Sequence, residues 1–337
     1  MNSVEFLIIT LAIFAAVDGI LVLGLNIQFG SAGVLNLAYI AIVSVGAYAT
    51  GVAELRPAPA HSAVVQYIGG FGWPFVPSLL FGTACATVFT FALGGIAFLR
   101  LRYDYLGLTL FSVEAGLLLI CTDYYPLFDG NRGLLGLTGP WQNSLGQSSY
   151  QYEMLGVCGA CFGVVYFVAS RIDRSPFGRL VRGLRDDELG FASLGRDPWK
   201  AKVSAFVIGG CMAGLGGGLL ATYSGGWSPG AWQPLETLTI LAAIFVGGRG
   251  RPLGVVLGSL LVLECIGQAT LFLPKIGGAA DVMPNLENIA AIVVLFAFLW
   301  WRPQGLVPEQ LETVPVQSAG SSVFREEPSQ QVVEQRA

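Results

Sequence analysis

Charge is scarce in this chain, and histidine is nearly missing. Only 12% of its 337 residues are Asp, Glu, Lys or Arg, against about 25% in soluble domains, and the mean hydropathy is +0.65. That balance excludes an ordinary soluble domain. The single histidine, His61, is too little for most acid–base or metal schemes. The zinc-binding HExxH and the phosphate-cradling GxxxxGK[ST] are both absent, and no Gly-Lys pair occurs anywhere. The chain is therefore not expected to be an enzyme, nor to bind a metal or cofactor. If ATP drives its work, ATP and Mg sit on another chain. The net charge of −4, with no basic surface, gives no reason to expect nucleic acid as a partner. Cys158 and Cys161 form a CxxC without a second one to complete a metal site, and all six cysteines lie in apolar segments, which suits thiols packed inside helices.

Long apolar runs are what the chain has in abundance. Several approach the roughly 20 residues that cross a bilayer core as a helix, and none shows the short alternating pattern of a membrane β-barrel. The expected class is all-α, a polytopic transmembrane bundle of about 8–10 spans embedded in lipid. Nine spans are expected, over 4–25, 30–52, 74–98, 104–122, 151–170, 203–224, 235–247, 253–273 and 285–301. The seventh is too short to cross unaided, so it either starts earlier or is re-entrant. The N-terminal stretch has no basic n-region and a long apolar run, and is expected to be a retained first span rather than a cleaved leader. Basic residues follow the odd-numbered spans: Arg100 and Arg102, the cluster from Arg171 to Lys202, Arg249 and Arg251, then Arg302. By the positive-inside rule the N-terminus lies outside and the C-terminus in the cytoplasm. Trp73, Trp227 and Trp232 fall near expected outer ends, and Trp300 and Trp301 near the inner one, as interfacial belts. Residues 1–302 form the membrane domain, and 303–337, rich in Gln, Glu and Ser, read as a disordered cytoplasmic tail.

Eight of the 18 Lys and Arg residues fall between Arg171 and Lys202, the longest expected cytoplasmic loop. Ser175-Pro176 has the form of an N-cap with proline in the first helical turn, and Gly195 with Pro198 forms a stop. A helix between them would present Leu180, Val181, Leu184 and Phe191 on one edge and Arg182, Arg185 and Asp186 elsewhere. Orientation alone explains the arginines. It does not explain the carboxylates Asp186, Asp187 and Glu188, nor the caps, which suit docking in a cleft of another protein. Both readings stand on composition.

Polar residues inside the spans are costly, at about 2.5–3.5 kcal/mol for a central Asp. Asp18, Glu114 and Glu264 are three such carboxylates, and Glu114 follows Thr109 and Ser112 in a polar strip that would suit a translocation path. The stretch "GLNIQFGSAGVLNLAY" (24–39) sets Asn26, Gln28 and Asn36 among Gly24, Gly30 and Gly33. It is either a broken helix beside a substrate path or a simple turn. Gly210, Gly214 and Gly218 recur every fourth residue, a stripe that lets helices approach closely.

Six motifs in order resemble one family: "GLNIQFGSAGVLNLAYIAIVSVGAY" (24–48), "LRYDYLGLTLFSVE" (101–114), "VRGLRDDELGFASLGRD" (181–197), "KVSAFVIGGCMAGLGGGL" (202–219), "GGRGRPLGVVLG" (247–258) and "RPQGL" (302–306). Together they resemble the permease subunits of ABC importers for branched-chain amino acids, a family that also takes urea and short amides. The second motif resembles the branch that pairs with a different permease. The resemblance implies ATP-driven import across the bacterial cytoplasmic membrane, with two ABC ATPase subunits, a second permease and an extracytoplasmic solute-binding protein as partners. It makes the loop with Arg182, Arg185, Asp186, Asp187, Glu188 and Gly195 the ATPase-coupling element. It places Asn26, Gly30, Gly33 and Asn36 along the path and matches Glu114, which the polar strip with Thr109 also marks as a path candidate, to a glutamate usual in the family. Gly190, Phe191, Tyr39, Arg249 and Arg251 depart from the usual pattern. The alternative is a self-sufficient secondary transporter or channel working through its intramembrane carboxylates.

Overall fold

A computed structural model describes residues 3–57, 67–100, 103–140, 147–266, 282–302 and 304–308. His61, Arg102, Lys275, the end of the eighth expected span and the chain beyond residue 308 lie outside the described residues. The rest is a helical bundle. Its long helices are α1 (Ser3–Leu25), α2 (Tyr39–Glu54), α3 (Phe75–Arg100), α4 (Tyr103–Asp123), α6 (Gln147–Arg174), α9 (Pro198–Ser224) and α12 (Val282–Trp301). Shorter ones are α5 (Tyr125–Phe128), α7 (Pro176–Asp186), α8 (Glu188–Ser193), α10 (Pro234–Gly247) and α11 (Pro252–Ser259). A short antiparallel pair of two-residue strands, β1 (Leu134–Leu135) against β2 (Gly226–Trp227), is the sheet among the described residues.

Among the described residues, five helical stretches are long and apolar enough to cross a membrane: Val4–Ser31, Phe75–Arg100, Tyr105–Asp123, Ser149–Arg174 and Pro198–Ser224. α2, α10 and α11 are shorter. α10 has 14 residues, about 21 Å at 1.5 Å per residue, less than the roughly 30 Å hydrocarbon core. It starts at Pro234, close to its expected start, and turns through 248–251 directly into α11.

α9 is the axis of the fold, packed by α1, α2 and α3. Glycine makes that packing possible, because the absent side chain is where a neighbour sits. A Cβ on Gly210 would overlap Thr90, and one on Gly214 would overlap Ala86, both on α3. One on Gly218 would lie 2.6 Å from Leu79 and Thr50. Facing them, a Cβ on Gly46 of α2 would lie 2.6 Å from the Gly214 backbone. In lipid, where burial of apolar surface drives little association, close backbone approach is a main source of helix–helix attraction.

Two expectations change on folding. Trp227 and Trp232 are 4% and 1% exposed, so they are core residues and not interfacial belts. The indole of Trp232 donates to Tyr48 Oη at 3.3 Å, beneath a Tyr48–Phe128 stack with ring centroids 4.3 Å apart. The loop after α4 folds back as α5 and β1, with Phe128 stacked on Tyr48 and β1 paired to β2, the strand that contains Trp227. Trp73 stays exposed, stacked on Phe71, and so do Trp300 and Trp301. The second change is at Pro198: the charged stretch stops before it as expected, with α8 ending at Ser193, but the same proline begins α9, ahead of the expected span start at 203. Asp197 caps the helix, its carboxylate accepting from the backbone N–H of Trp199 and Lys200, and proline in the first turn sacrifices no hydrogen bond.

Candidate functional site

Two features meet at the end of the bundle that carries α7 and α8. The first is the charged stretch itself. One continuous helix was expected from Ser175 to Gly195, and the structure divides it. Ser175 caps α7 by accepting from Gly178 N at 3.2 Å. Asp187 then swings to an extended conformation (φ −150°, ψ 100°) and caps α8, accepting from Gly190 N at 2.9 Å. The break is open to Asp187 because Asp bonds nearby backbone as readily as it continues a helix, and the packing of Leu184 and Phe191 against Ala201 fixes the choice. It also fits Gly190 at the third position, where Asp187 leaves no room for a Cβ. Gly195, at φ +73°, turns the chain into α9 in the left-handed region where glycine is unstrained.

Val181, Leu184 and Phe191 are buried, and Leu184, Phe191 and Ala201 form a small cluster that pins the helix pair to the start of α9. The arginines do not all face outward. Arg182 forms an ion pair with Asp173, with a second bond to the Asp173 carbonyl at 3.0 Å. Arg185 Nη1 donates to the Gly30 carbonyl at 2.6 Å. Glu188 is held by Lys202, 2.7 Å from both carboxylate oxygens. Asp186, Asp187 and Glu188 are exposed, together with two apolar knobs on and after α8, Leu189 at 84% and Leu194 at 80%.

The second feature is the break in the first span. α1 widens into a π-helix over Asn26–Ser31, then runs without helix to Tyr39, passing Gly33 at φ +70°. The segment is interrupted and not a plain turn between two complete spans. Its amides are buried and crosslink the fold. Gln28 Nε2 donates to the Phe206 carbonyl of α9 at 2.8 Å, and Asn36 Nδ2 donates to Gln28 Oε1 at 2.8 Å. Asn36 Oδ1 accepts from Ala38 N at 3.0 Å. Asn26 Oδ1 accepts from Gly250 N at 2.9 Å, through space that exists because Gly30 has no side chain. Between the two features lies a cleft of ≈ 430 Å³, lined by Phe29, Gly33, Val34, Leu184, Arg185, Glu188, Lys202 and Arg249 among others.

Glu114 lies elsewhere, fully buried on α4. Thr237 of α10 donates to its Oε2 at 3.4 Å and accepts from Ile40 N, at the start of α2, at 3.2 Å. Its other oxygen has no hydrogen-bond partner among the described residues. Thr109 and Ser112 do not join it. Their hydroxyls bond back to the carbonyls of Tyr105 and Leu108, and five residues along a helix places Thr109 on a different face from Glu114. Glu264 is also buried. Thr237, the hub joining three helices, carried no sequence signal, because a threonine in an apolar helix resembles any other.

No group of three metal-ligating residues occurs among the described residues. The stretch Gly226–Gly230 has nucleophile-elbow spacing, Gly-x-Ser-x-Gly. Ser228, however, joins β2 to a three-residue turn of 3-10 helix, without the strand-to-α-helix bend that exposes such a serine.

With this geometry in place, comparison with known proteins is specific. The family described as the permease component of branched-chain amino acid transport systems matches residues 7–301. The high-affinity branched-chain amino acid transport system permease protein LivM of Salmonella typhimurium is 27% identical, covering 86% of this chain and 67% of the relative. LivM of Escherichia coli has the same figures. A probable branched-chain amino acid transport permease protein LivM of Methanocaldococcus jannaschii is 26% identical, over 86% of this chain and 89% of the relative. No solved structure matches.

Proposed function

This chain belongs to the family of branched-chain amino acid transport system permease components, and from that premise we propose that it is one permease half of an ATP-driven importer in a cytoplasmic membrane. Its cargo is a branched-chain or similar hydrophobic amino acid, or a related small amide such as urea. A second permease completes the pathway, two ATPase subunits supply the energy, and an extracytoplasmic binding protein delivers the solute. In this reading α7 and α8 lie in the cytoplasm.

The observation that carries the reading is the α7–α8 pair. Two helices long enough to span a membrane, α6 and α9, are joined by two short capped helices that bury one apolar edge. They leave Leu189 and Leu194 exposed beside Asp186 and Asp187. Exposed leucines flanked by charge are poorly matched to water and well matched to a protein cleft. The ATPase would grip these knobs, and its closure would move the helix pair as a unit.

The test is reconstitution in liposomes with the partner permease, the ATPases and the binding protein. Uptake of leucine, isoleucine, valine or urea that requires ATP and the binding protein supports the reading. Uptake by this chain alone, driven by an ion gradient without ATP, overturns it in favour of a secondary transporter.

A further inference from the structure

The two features of the site are bonded to each other, and the bond has a direction. We propose that Arg185 is a positioning residue that passes motion of the α7–α8 pair into the π-helical break of the first span and, through Asn26, into the α10–α11 turn. The inference rests on the importer reading and specifies where the applied force goes.

Arg185 sits one residue before the end of α7. Its guanidinium crosses the cleft to the Gly30 carbonyl at 2.6 Å, and its stem lies on Gly33, where a Cβ would be 2.7 Å from Arg185 Cγ. The carbonyl belongs to a π-helical turn, a local widening that occurs frequently at functional sites. Four residues earlier, Asn26 holds Gly250 N at 2.9 Å. The turn containing Gly250 is itself clamped. The chain after α12 returns so that Leu306 N donates to the Val246 carbonyl at 2.8 Å and Val307 N to Gly247 at 3.1 Å. A displacement of α7 therefore either drags Gly30, Asn26 and the 248–251 turn along or breaks a charge-assisted bond and strands a buried amide. Breaking both is the costlier route, so the parts move together.

The linkage accounts for otherwise unrelated features. Gly30 leaves space for the Asn26–Gly250 bond, and Gly33 leaves space for the Arg185 stem. The break in α1 is where the polar bonds attach, and an unbroken α-helix would resist bending there.

The test uses the full reconstituted importer, recording ATP hydrolysis and solute uptake in the same vesicles. Arg185→Met removes the donor and keeps much of the stem. The expected result is ATP hydrolysis retained within about threefold, with uptake per ATP falling about tenfold, the equivalent of one charged hydrogen bond. Arg185→Lys keeps a donor that reaches a single carbonyl and should restore most of the ratio. Asn26→Ser, which breaks the linkage farther along, should uncouple the same way. If Arg185→Met and Asn26→Ser leave uptake per ATP unchanged, or lower hydrolysis and uptake in parallel as a merely structural role would, the inference is overturned. If the unmutated assembly shows no ATP-dependent uptake, the importer reading itself fails, an outcome distinct from a failure of the variants.

Discussion

At the scale of single residues, the buried amides contribute more than their number suggests. In a bilayer there is no water to rescue an abandoned donor or acceptor. Gln28 serves two partners at once, the Phe206 carbonyl and the Asn36 amide. Gln28→Leu keeps the bulk and strands both, and is expected to cost about 1–3 kcal/mol. The readout is the thermal midpoint of the purified protein in detergent. Gly214 is the opposite case, a residue whose value is absence. Gly214→Leu drives a side chain into Ala86 and against Gly46, and should destabilise by at least the roughly 1–3 kcal/mol of an overpacked core. An unchanged midpoint would mean that α9 does not pack against α2 and α3 as described.

At the scale of elements, the α7–α8 pair divides its residues between holding itself in place and meeting a partner. Asp187 is the cap that separates the helices, and Asp187→Ala should cost about 1 kcal/mol. Because α8 has only six residues, that loss is felt locally. Trypsin is expected to cut at Arg196 faster in the variant while the rest of the chain resists. Leu189 and Leu194 are largely exposed among the described residues. Leu189→Ser combined with Leu194→Ser is therefore expected to leave the thermal midpoint unchanged and to weaken co-purification with the ATPase subunits about tenfold, the loss of one modest interface hot spot. Glu188 is a less clean probe, since Glu188→Arg also forces two cations together at Lys202.

At the scale of the whole molecule, topology is the decisive measurement. α9 has 27 residues, about 40 Å of helix, enough to separate its ends by a bilayer. Ser193, which ends α8 just before α9, and Ser224, the last residue of α9, flank opposite ends of that helix and are both exposed, so Ser193→Cys and Ser224→Cys report on its two sides. In a Cys265→Ala background, an impermeant thiol reagent added to intact cells should label only Ser224→Cys. Added to inverted vesicles, it should label only Ser193→Cys. Labelling of both from one side would overturn the assignment of α7 and α8 to the cytoplasm.

What the sequence by itself determined was the class of molecule and the order of its parts. Low charge and repeated apolar runs left only a helical membrane bundle, and the Ser175–Pro176 cap was readable because capping is local chemistry. The seventh segment was marked as too short from its length alone, and α10 is short. Tertiary structure decided everything that depends on contacts between distant residues. Nothing near Arg185 in sequence indicates Gly30, 155 positions away, and nothing near Asn26 indicates Gly250, 224 positions away. Trp227 and Trp232 suggested an interfacial belt until the loop before β1 folded over them. Asp187 read as part of a helix because the choice between continuing and capping is settled by Phe191 and Leu184 packing against Ala201. Composition reports what solvent a chain prefers, and periodicity reports local geometry. Which buried donor meets which acceptor is known only once the helices have packed.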